Sequence, residues 1–542
     1  MNILKIINRF NSYKKIIVLN KSIFNEKQKE TDSEILIEFN NFSADHIPYS
    51  YCANILKNKY NAKIIAYAGQ TLLSYPIKQT IFTKIKIYLG NILNLNFFGV
   101  YKSFGTKKIL YPSTNQKILN NSTKSYKYFI KKDKNLKNLE NFTLKKVLLG
   151  DLLYDSYLRN QKSIKPTIDL KSETFQKFTF EFLILFEFWY DYFKTHKVKA
   201  IISSHSVYVM GIQTRIGKIY NIDGFILTHD QIQRINKKNQ KEINVEKYYK
   251  SIFKKLDKKK QSKIISLSKK KIKDRLDGIY SSDYFWITKS PFGKGNKIDI
   301  KKGNKNIFVI ATHDFLDAPH TWGNHYFEDF YIWLLFLCEF SKKTKDIWLI
   351  KNHPDFGGKW SKYMQYEKKV VNEITKEYKH IKVLPKNTTL NDLVKTKVDA
   401  ILTVNGSIGL DGALLNIPVI NATRNNPHIN YNFNIHPNNI KQLKDVILNF
   451  KKHKKKFKID KKEIYEFYGM RSIFFTRYWF FNNLENISKE IGTHYDLHDP
   501  LFYDYWVKKY QNFDEAKIKN KLKRYFNSKN NFLLNNNNLG NF

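Results

Sequence analysis

Asp399-Ala400-Ile401-Leu402-Thr403-Val404-Asn405-Gly406-Ser407-Ile408-Gly409-Leu410-Asp411-Gly412-Ala413-Leu414-Leu415-Asn416-Ile417-Pro418-Val419-Ile420 reads as a strand, a tight turn, a short helix, a second turn and a second strand. Asn405-Gly406 permits a close bend and Ser407 suits a helix N-cap, so the first helical amides are expected to form an anion site that fits a phosphate. Asp411 stands about one turn beyond Ser407 on the same side, where a carboxylate can accept hydrogen bonds from a ribose diol. The plainer alternative is that Ser407 caps an ordinary helix and Asp411 only favours its positive end.

Outward from this segment, short β-rich runs alternate with longer helical patterns, the sequence form of βαβ units on parallel sheets. Upstream in the same half the expected strands are Ile307–Ala311, Ile347–Ile350 and Ile381–Leu384. In the first half they are Lys15–Leu19, Glu34–Phe39, Lys63–Tyr67, Lys146–Leu149, Ala200–Ser203 and Gly224–Leu227. The pattern predicts an α/β protein with two doubly wound domains facing a cleft: residues 1–250 for an acceptor, and 301–440 for a nucleotide-activated donor. Between them, 251–300 reads as an exposed Lys-rich helical connector. Residues 441–527 read as a helical extension, and 528–542 as an Asn-rich disordered tail.

The chain has 542 residues, 42% of them hydrophobic and 15% aromatic, enough apolar surface to exclude global disorder. Lysine and arginine exceed aspartate and glutamate by 94 − 48 = 46. That excess points to a polyanionic partner or to solvated faces set by an AT-rich coding sequence, and does not choose between them. Cys52 and Cys338 are the only cysteines, so neither a disulfide framework nor a cysteine-based zinc site is available, and a cytoplasmic protein is expected. The longest apolar stretch, Phe330 to Phe340, is about half of a bilayer span. Peripheral contact with an anionic membrane surface stays open.

Lys351-Asn352-His353-Pro354 directly follows an expected strand, and Pro354 holds His353 out of helix, so Lys351 and His353 belong at the strand's C-terminal rim. There they can neutralise a leaving phosphate. His313-Asp314-Phe315-Leu316-Asp317-Ala318-Pro319-His320 follows another strand; its spacing matches no metal-ligand pattern, and a loop closing over a donor is the reading preferred. In the first half, Asp151 and Asp155 are an i, i+4 pair after a strand, placed to take a proton from an attacking hydroxyl, with an Arg159 ion pair as the bland alternative. Ser204-His205-Ser206 repeats the strand-to-helix anion geometry, with His205 a candidate acceptor contact. Asp45-His46 opens a helix and divides between capping and acceptor binding.

Lys351–Pro354, the Gly406-Ser407 turn and the acidic Asp411 together resemble the C-terminal half of GT-B glycosyltransferases that build bacterial capsular and other surface polysaccharides. Asp317–His320 with Phe327–Leu334, and Leu149–Arg159, resemble the same group, in patches from about residue 145 to 435. The resemblance implies two Rossmann-like domains and donor contacts from Lys351, His353 and Ser407; the reading of the residues themselves adds His313, Asn405, Gly406 and Asp411 as donor-binding candidates. The resemblance also implies a donor phosphate on the His-Pro and Ser elements, and a CMP-sugar donor such as CMP-linked Kdo or a nonulosonate. The expected partners are that nucleotide sugar and a glycan or lipid-linked glycan acceptor, with no metal and no cofactor. A sugar-nucleotide epimerase or polyol-phosphate transferase of the same architecture remains an alternative, as does a membrane-peripheral scaffold. No RNA-binding motif is visible, so nucleic acid is not the expected partner.

Overall fold

In the computed structural model, the described residues are 3–25, 31–68, 81–132, 136–161, 163–227, 231–235, 241–277, 291–293, 295–321, 323, 325–353, 361–475, 480 and 499–534. Pro354 and the Asn535–Asn538 run lie outside them. The chain divides into two compact α/β units, both Rossmann-like: 1–156, 169–242 and 477–535 in the first, 157–168, 243–476 and 536–542 in the second.

The first unit is built on strands β1 (Ser33–Phe39), β2 (Lys63–Ala68) and β3 (Thr106–Leu110). A small hairpin, β4 (Thr143–Leu144) with β5 (Val147–Leu148), stands apart, followed by β6 (Lys197–Ser203), β7 (Asp223–Leu227) and β8 (Gln231–Ile235). The sheet order is β14-β8-β7-β6-β1-β2-β3, where β14 is Phe532–Leu534. The five strands from β7 to β3 are parallel; β8 and β14 add an antiparallel edge. Every residue of β1 is buried, as expected of a central strand covered on both faces.

Three expectations fail here for identifiable reasons. Lys15–Leu19 lies inside helix Ile3–Ile23. Ile16 is 1% exposed and Val18 69%, whereas a strand would put both on one face. Lys146–Leu149 contributes only two strand residues, paired in the separate hairpin, so helix Gly150–Asn160 starts from a turn and not from the rim of the sheet. The expected disordered tail contains β14, which completes the sheet by pairing Phe532 with Gln233.

The second unit contains β9 (Ile307–Ala311), β10 (Ile347–Lys351), β11 (Lys382–Val383), β12 (Ala400–Thr403) and β13 (Val419–Asn421), all parallel in the order β11-β10-β9-β12-β13. Alternate residues feed two cores: Phe308, Ile310, Trp348, Ile350 and Leu402 on one face, Ile307, Val309, Leu349, Ile401 and Val419 on the other. That alternation with both faces apolar is the signature of a doubly wound sheet. The helices Ile440–Leu448, Phe450–Lys456 and Lys461–Gly469 belong to this unit, whereas Leu501–Tyr510 and Glu515–Asn527 belong to the first.

The Lys-rich segment expected as an exposed connector is a packed helix, Lys258–Leu276, capped by the Asp257 carboxylate accepting from Lys260 N–H at 2.8 Å. It buries Ile264, Ser268, Ile272 and Arg275 along one stripe and turns its lysines outward. A Cβ at Gly469 would stand 2.3 Å from Ser268 Oγ and 2.4 Å from Ile264 Cγ2, so only glycine lets the two helices approach this closely. Gly469→Ala is therefore expected to lower stability by about 1–3 kcal/mol through overpacking; an unshifted urea transition would contradict this packing.

Candidate functional site

In the second sheet the chain moves outward from β9 to β10 and β11, then returns to β12 and β13 on the other side. The reversal leaves a crevice at the carboxyl ends of β9 and β12, where open α/β sheets bind ligands. His313 follows β9, Lys351 ends β10 and His353 follows it, and Asn405–Ser407 follow β12, so these sequence-predicted residues gather on the rim of three adjacent strands.

His313 bridges the reversal. Its Nε2 accepts the Val404 N–H at 3.1 Å and lies 3.0 Å from Thr403 Oγ1. An amide N–H can only donate, so Nε2 carries the lone pair and the neutral ring holds its proton on Nδ1. Burial pushes the imidazole pKa down to about 3, helped by the nearby His353 and His325. The ring stacks on Phe330 at 4.6 Å, which fixes its plane. A Cβ at Gly406 would meet Thr403 Oγ1 at 2.9 Å and His313 Cε1 at 3.4 Å, so glycine lets the turn close on the imidazole.

A buried carboxylate that the sequence reading missed, Glu367 in helix Ser361–Glu377, ties the ends of β9 and β10 together. Its Oε1 accepts the His353 N–H at 3.0 Å and the Thr312 hydroxyl. Burial raises the Glu367 pKa to about 7 against the opposing pull of those two donors, with Asp314 adding to the rise and Lys351 opposing it. Asp314 is itself pushed up to about 6 by burial and then by Asp317. Burial lowers Lys351, while Glu367 and Asp392 act the other way. Among the described residues no group of three or more His, Cys, Asp or Glu is arranged to hold a metal ion.

The Ser407 and Asp411 expectations change. Ser407 is exposed and already helical at φ −58°, ψ −19°, and its side chain makes no cap bond. The helix it precedes, Ile408–Leu414, has only seven residues. Asp411 is buried and accepts Arg275 Nη2 through both oxygens, at 2.9 and 3.2 Å. It anchors the turn to helix Lys258–Leu276 and is not presented to a ribose.

In the first sheet the order reverses between β1 and β6. Here the bridge is the buried Glu38 carboxylate, which accepts Ser204 N–H at 2.5 Å and Ser203 Oγ at 3.2 Å. Glu242 accepts both the N–H and the hydroxyl of Ser206, at 2.8 and 3.1 Å. The anion site expected at Ser204–Ser206 is thus filled by the chain's own carboxylates. His205 sits between them, half-buried, its carbonyl accepting from Ser203 Oγ.

Asp151 is buried beside Arg215 Nη2 at 2.8 Å and Lys241 Nζ at 3.1 Å. Burial alone would raise its pKa, but the two cations outweigh it and hold the carboxyl below its ordinary value. It is a structural ion-pair partner and a poor proton acceptor. Asp155, one turn on, is also buried. His46 has both ring nitrogens engaged, Nδ1 with the Tyr503 hydroxyl at 2.6 Å and Nε2 with the Asn40 carbonyl at 3.0 Å, so it is a core histidine and not an acceptor contact. Asp45 lies buried in the first turn of helix Ser43–Tyr60. Glu367, Glu38 and Arg275 escaped the sequence reading because a carboxylate or guanidinium far from its partner in sequence leaves no local signal.

The Glu367 geometry has a pH signature. Its carboxyl ordinarily titrates near 4.5 and in the folded chain near 7, so the folded state binds the proton more tightly. The penalty for ionising it is absent below about pH 4.5 and fully present above about pH 7. The stability of the wild type relative to Glu367→Gln is expected to fall by about 3 kcal/mol across that window, because Gln keeps the acceptor and cannot ionise. Urea melts of both proteins through that range check this; a difference independent of pH would refute it.

No protein-family model and no curated protein sequence matches the chain. Among solved structures, it is similar to the beta-Kdo 2,4 transferase KpsC of Thermosulfurimonas dismutans, at 10% identity over 52% of this chain and 81% of that one, with a TM-score of 0.31. It is similar to the UDP-GlcNAc 2-epimerase of Neisseria meningitidis bound to UDP-GlcNAc, at 10% identity over 81% and 97% and a TM-score of 0.24. The N-terminal domain of Candida albicans trehalose-6-phosphate phosphatase gives 8% identity over 87% and 98%, with a TM-score of 0.25. At this depth of likeness, the α/β class of the chain rests on its own two sheets, one parallel and one parallel but for its β8–β14 edge.

Proposed function

We propose that the chain is a glycosyltransferase of bacterial surface-polysaccharide assembly, and that the phosphate of its nucleotide-sugar donor sits on the rim of β9, β10 and β12 in the second unit. The observation that carries this reading is the gathering of His313, Lys351 and His353 with the Asn405–Ser407 turn at the reversal of strand order. As the bond between the sugar's anomeric carbon and the phosphate oxygen breaks, negative charge builds on the departing nucleotide. In this reading the Lys351 ammonium, the His353 ring and the Nδ1–H of a fixed, neutral His313 are the donors that receive that charge.

The contrast between the units supports the same assignment. The corresponding reversal in the first unit is occupied by Glu38 and Glu242, which repel an anionic ligand. Asp155 remains the candidate base for the acceptor hydroxyl, since Asp151 is neutralised by Arg215 and Lys241. The resemblance of Lys351–Pro354 and the Gly406-Ser407 turn to GT-B enzymes favours a CMP-linked donor.

The test is turnover of purified chain with CMP- and UDP-sugars, with and without glycan acceptors. Nucleotide release that requires an acceptor is expected; epimerised or hydrolysed donor without one would replace transferase by epimerase or hydrolase. Lys351→Met and His353→Ala are each expected to lower kcat/KM by roughly 10²–10³-fold while the fold is retained. Unchanged kinetics in both variants would remove the donor from this rim.

A further inference from the structure

We propose that Asn352 binds the ribose hydroxyls of the donor nucleotide, the contact that Asp411 does not make. The inference rests on the assignment of the donor phosphate to this rim. Asn352 stands between Lys351, the last residue of β10, and His353. It is half-buried, and its Oδ1 is shut off from solvent with no hydrogen-bond donor. An amide oxygen so placed has given up water without a replacement, which costs the folded state its desolvation. Buried side-chain oxygens are paired as a rule, so an exception on a ligand-binding rim marks where a ligand's own O–H or N–H completes the bond. The backbone on either side is pinned before any ligand arrives. The Lys351 carbonyl accepts the Thr312 N–H at 3.1 Å, and the His353 N–H is donated to Glu367 Oε1 at 3.0 Å.

The neighbours select the group that Asn352 meets. Lys351 and His353 flank it with donors assigned to the phosphate, so its partner lies next to that phosphate. In a nucleoside 5′-phosphate the ribose hydroxyls are the O–H groups nearest the phosphate that stay with the nucleotide when the sugar is transferred. Neighbouring strand ends stand about 4.8 Å apart. That spacing suits a phosphate over β9 and a hydroxyl of its own ribose over β10. A hydroxyl both donates and accepts, so it matches either end of the carboxamide. A neutral amide binds it without opposing the phosphate, whereas a carboxylate in the same place would repel the anion. Asp411 is unavailable for this contact, since Arg275 Nη2 holds its two oxygens at 2.9 and 3.2 Å.

Equilibrium binding of CMP, UMP and their 2′,3′-dideoxy forms to the full chain tests the assignment. The wild type is expected to bind the ribonucleotide of its preferred base about tenfold more tightly than the matching dideoxy form. Asn352→Ala is expected to bind the two forms alike, at the dideoxy level, with its fold intact by urea melting. Asn352→Asp keeps an acceptor and adds a charge, so it is expected to weaken both forms and to retain the preference. Binding that Lys351→Met weakens but that ignores the ribose hydroxyls in the wild type, or a preference that survives in Asn352→Ala, overturns this inference and leaves the phosphate site standing. Absence of nucleotide binding, or binding that Lys351→Met leaves unchanged, overturns the phosphate site and this inference with it.

Discussion

The hydrogen bond from Val404 N–H to His313 Nε2 is the constraint on which the candidate site depends. Where strand order reverses, two parallel strands part and their terminal amides lose a neighbour; a buried amide must find another acceptor. The second unit supplies an imidazole, and accepting that bond forces the ring neutral and orients its remaining proton. The first unit meets the same requirement with the carboxylate of Glu38. Two reversals of strand order thus acquire different electrostatic character, one closed by a neutral imidazole and the other by a carboxylate.

Glu367 extends the constraint to the next strand. By accepting from both Thr312 and His353, it sets the spacing between the ends of β9 and β10. A carboxyl near 7 beside Lys351 is a compromise between desolvation, which favours the neutral form, and the donors and the cation, which favour the charged one. Asp411 does comparable work for the third segment, since its ion pair with Arg275 holds the start of helix Ile408–Leu414. Neither of these two acidic groups needs to touch a ligand for the rim to keep its shape.

Much of this was legible in the sequence, and the failures share a cause. The segment from Asp399 to Ile420 gave its strand, turn, helix and strand because each step is encoded within a few residues. The rim positions of Lys351, His353 and Ser407 followed from strand ends alone. What was misread depended on distant partners. Asp411 looks like a ligand until Arg275 is beside it, and Asp151 looks like a base until Arg215 and Lys241 are. Lys15–Leu19 has the composition of a strand, and only the packing of its neighbours makes it helix. Phe532–Leu534 becomes a strand because β8 offers it an unpaired edge.

That last pairing bears on how the protein is made. The second unit is inserted between β8 and the segment that closes the first sheet, so a ribosome delivers β14 long after β8 has emerged. Until then the nascent first unit carries an open β edge, together with the surface that helices Leu501–Tyr510 and Glu515–Asn527 later cover. Vectorial synthesis therefore lets the inserted unit finish first, while the earlier-made one waits with its edge open to pairing with neighbouring chains.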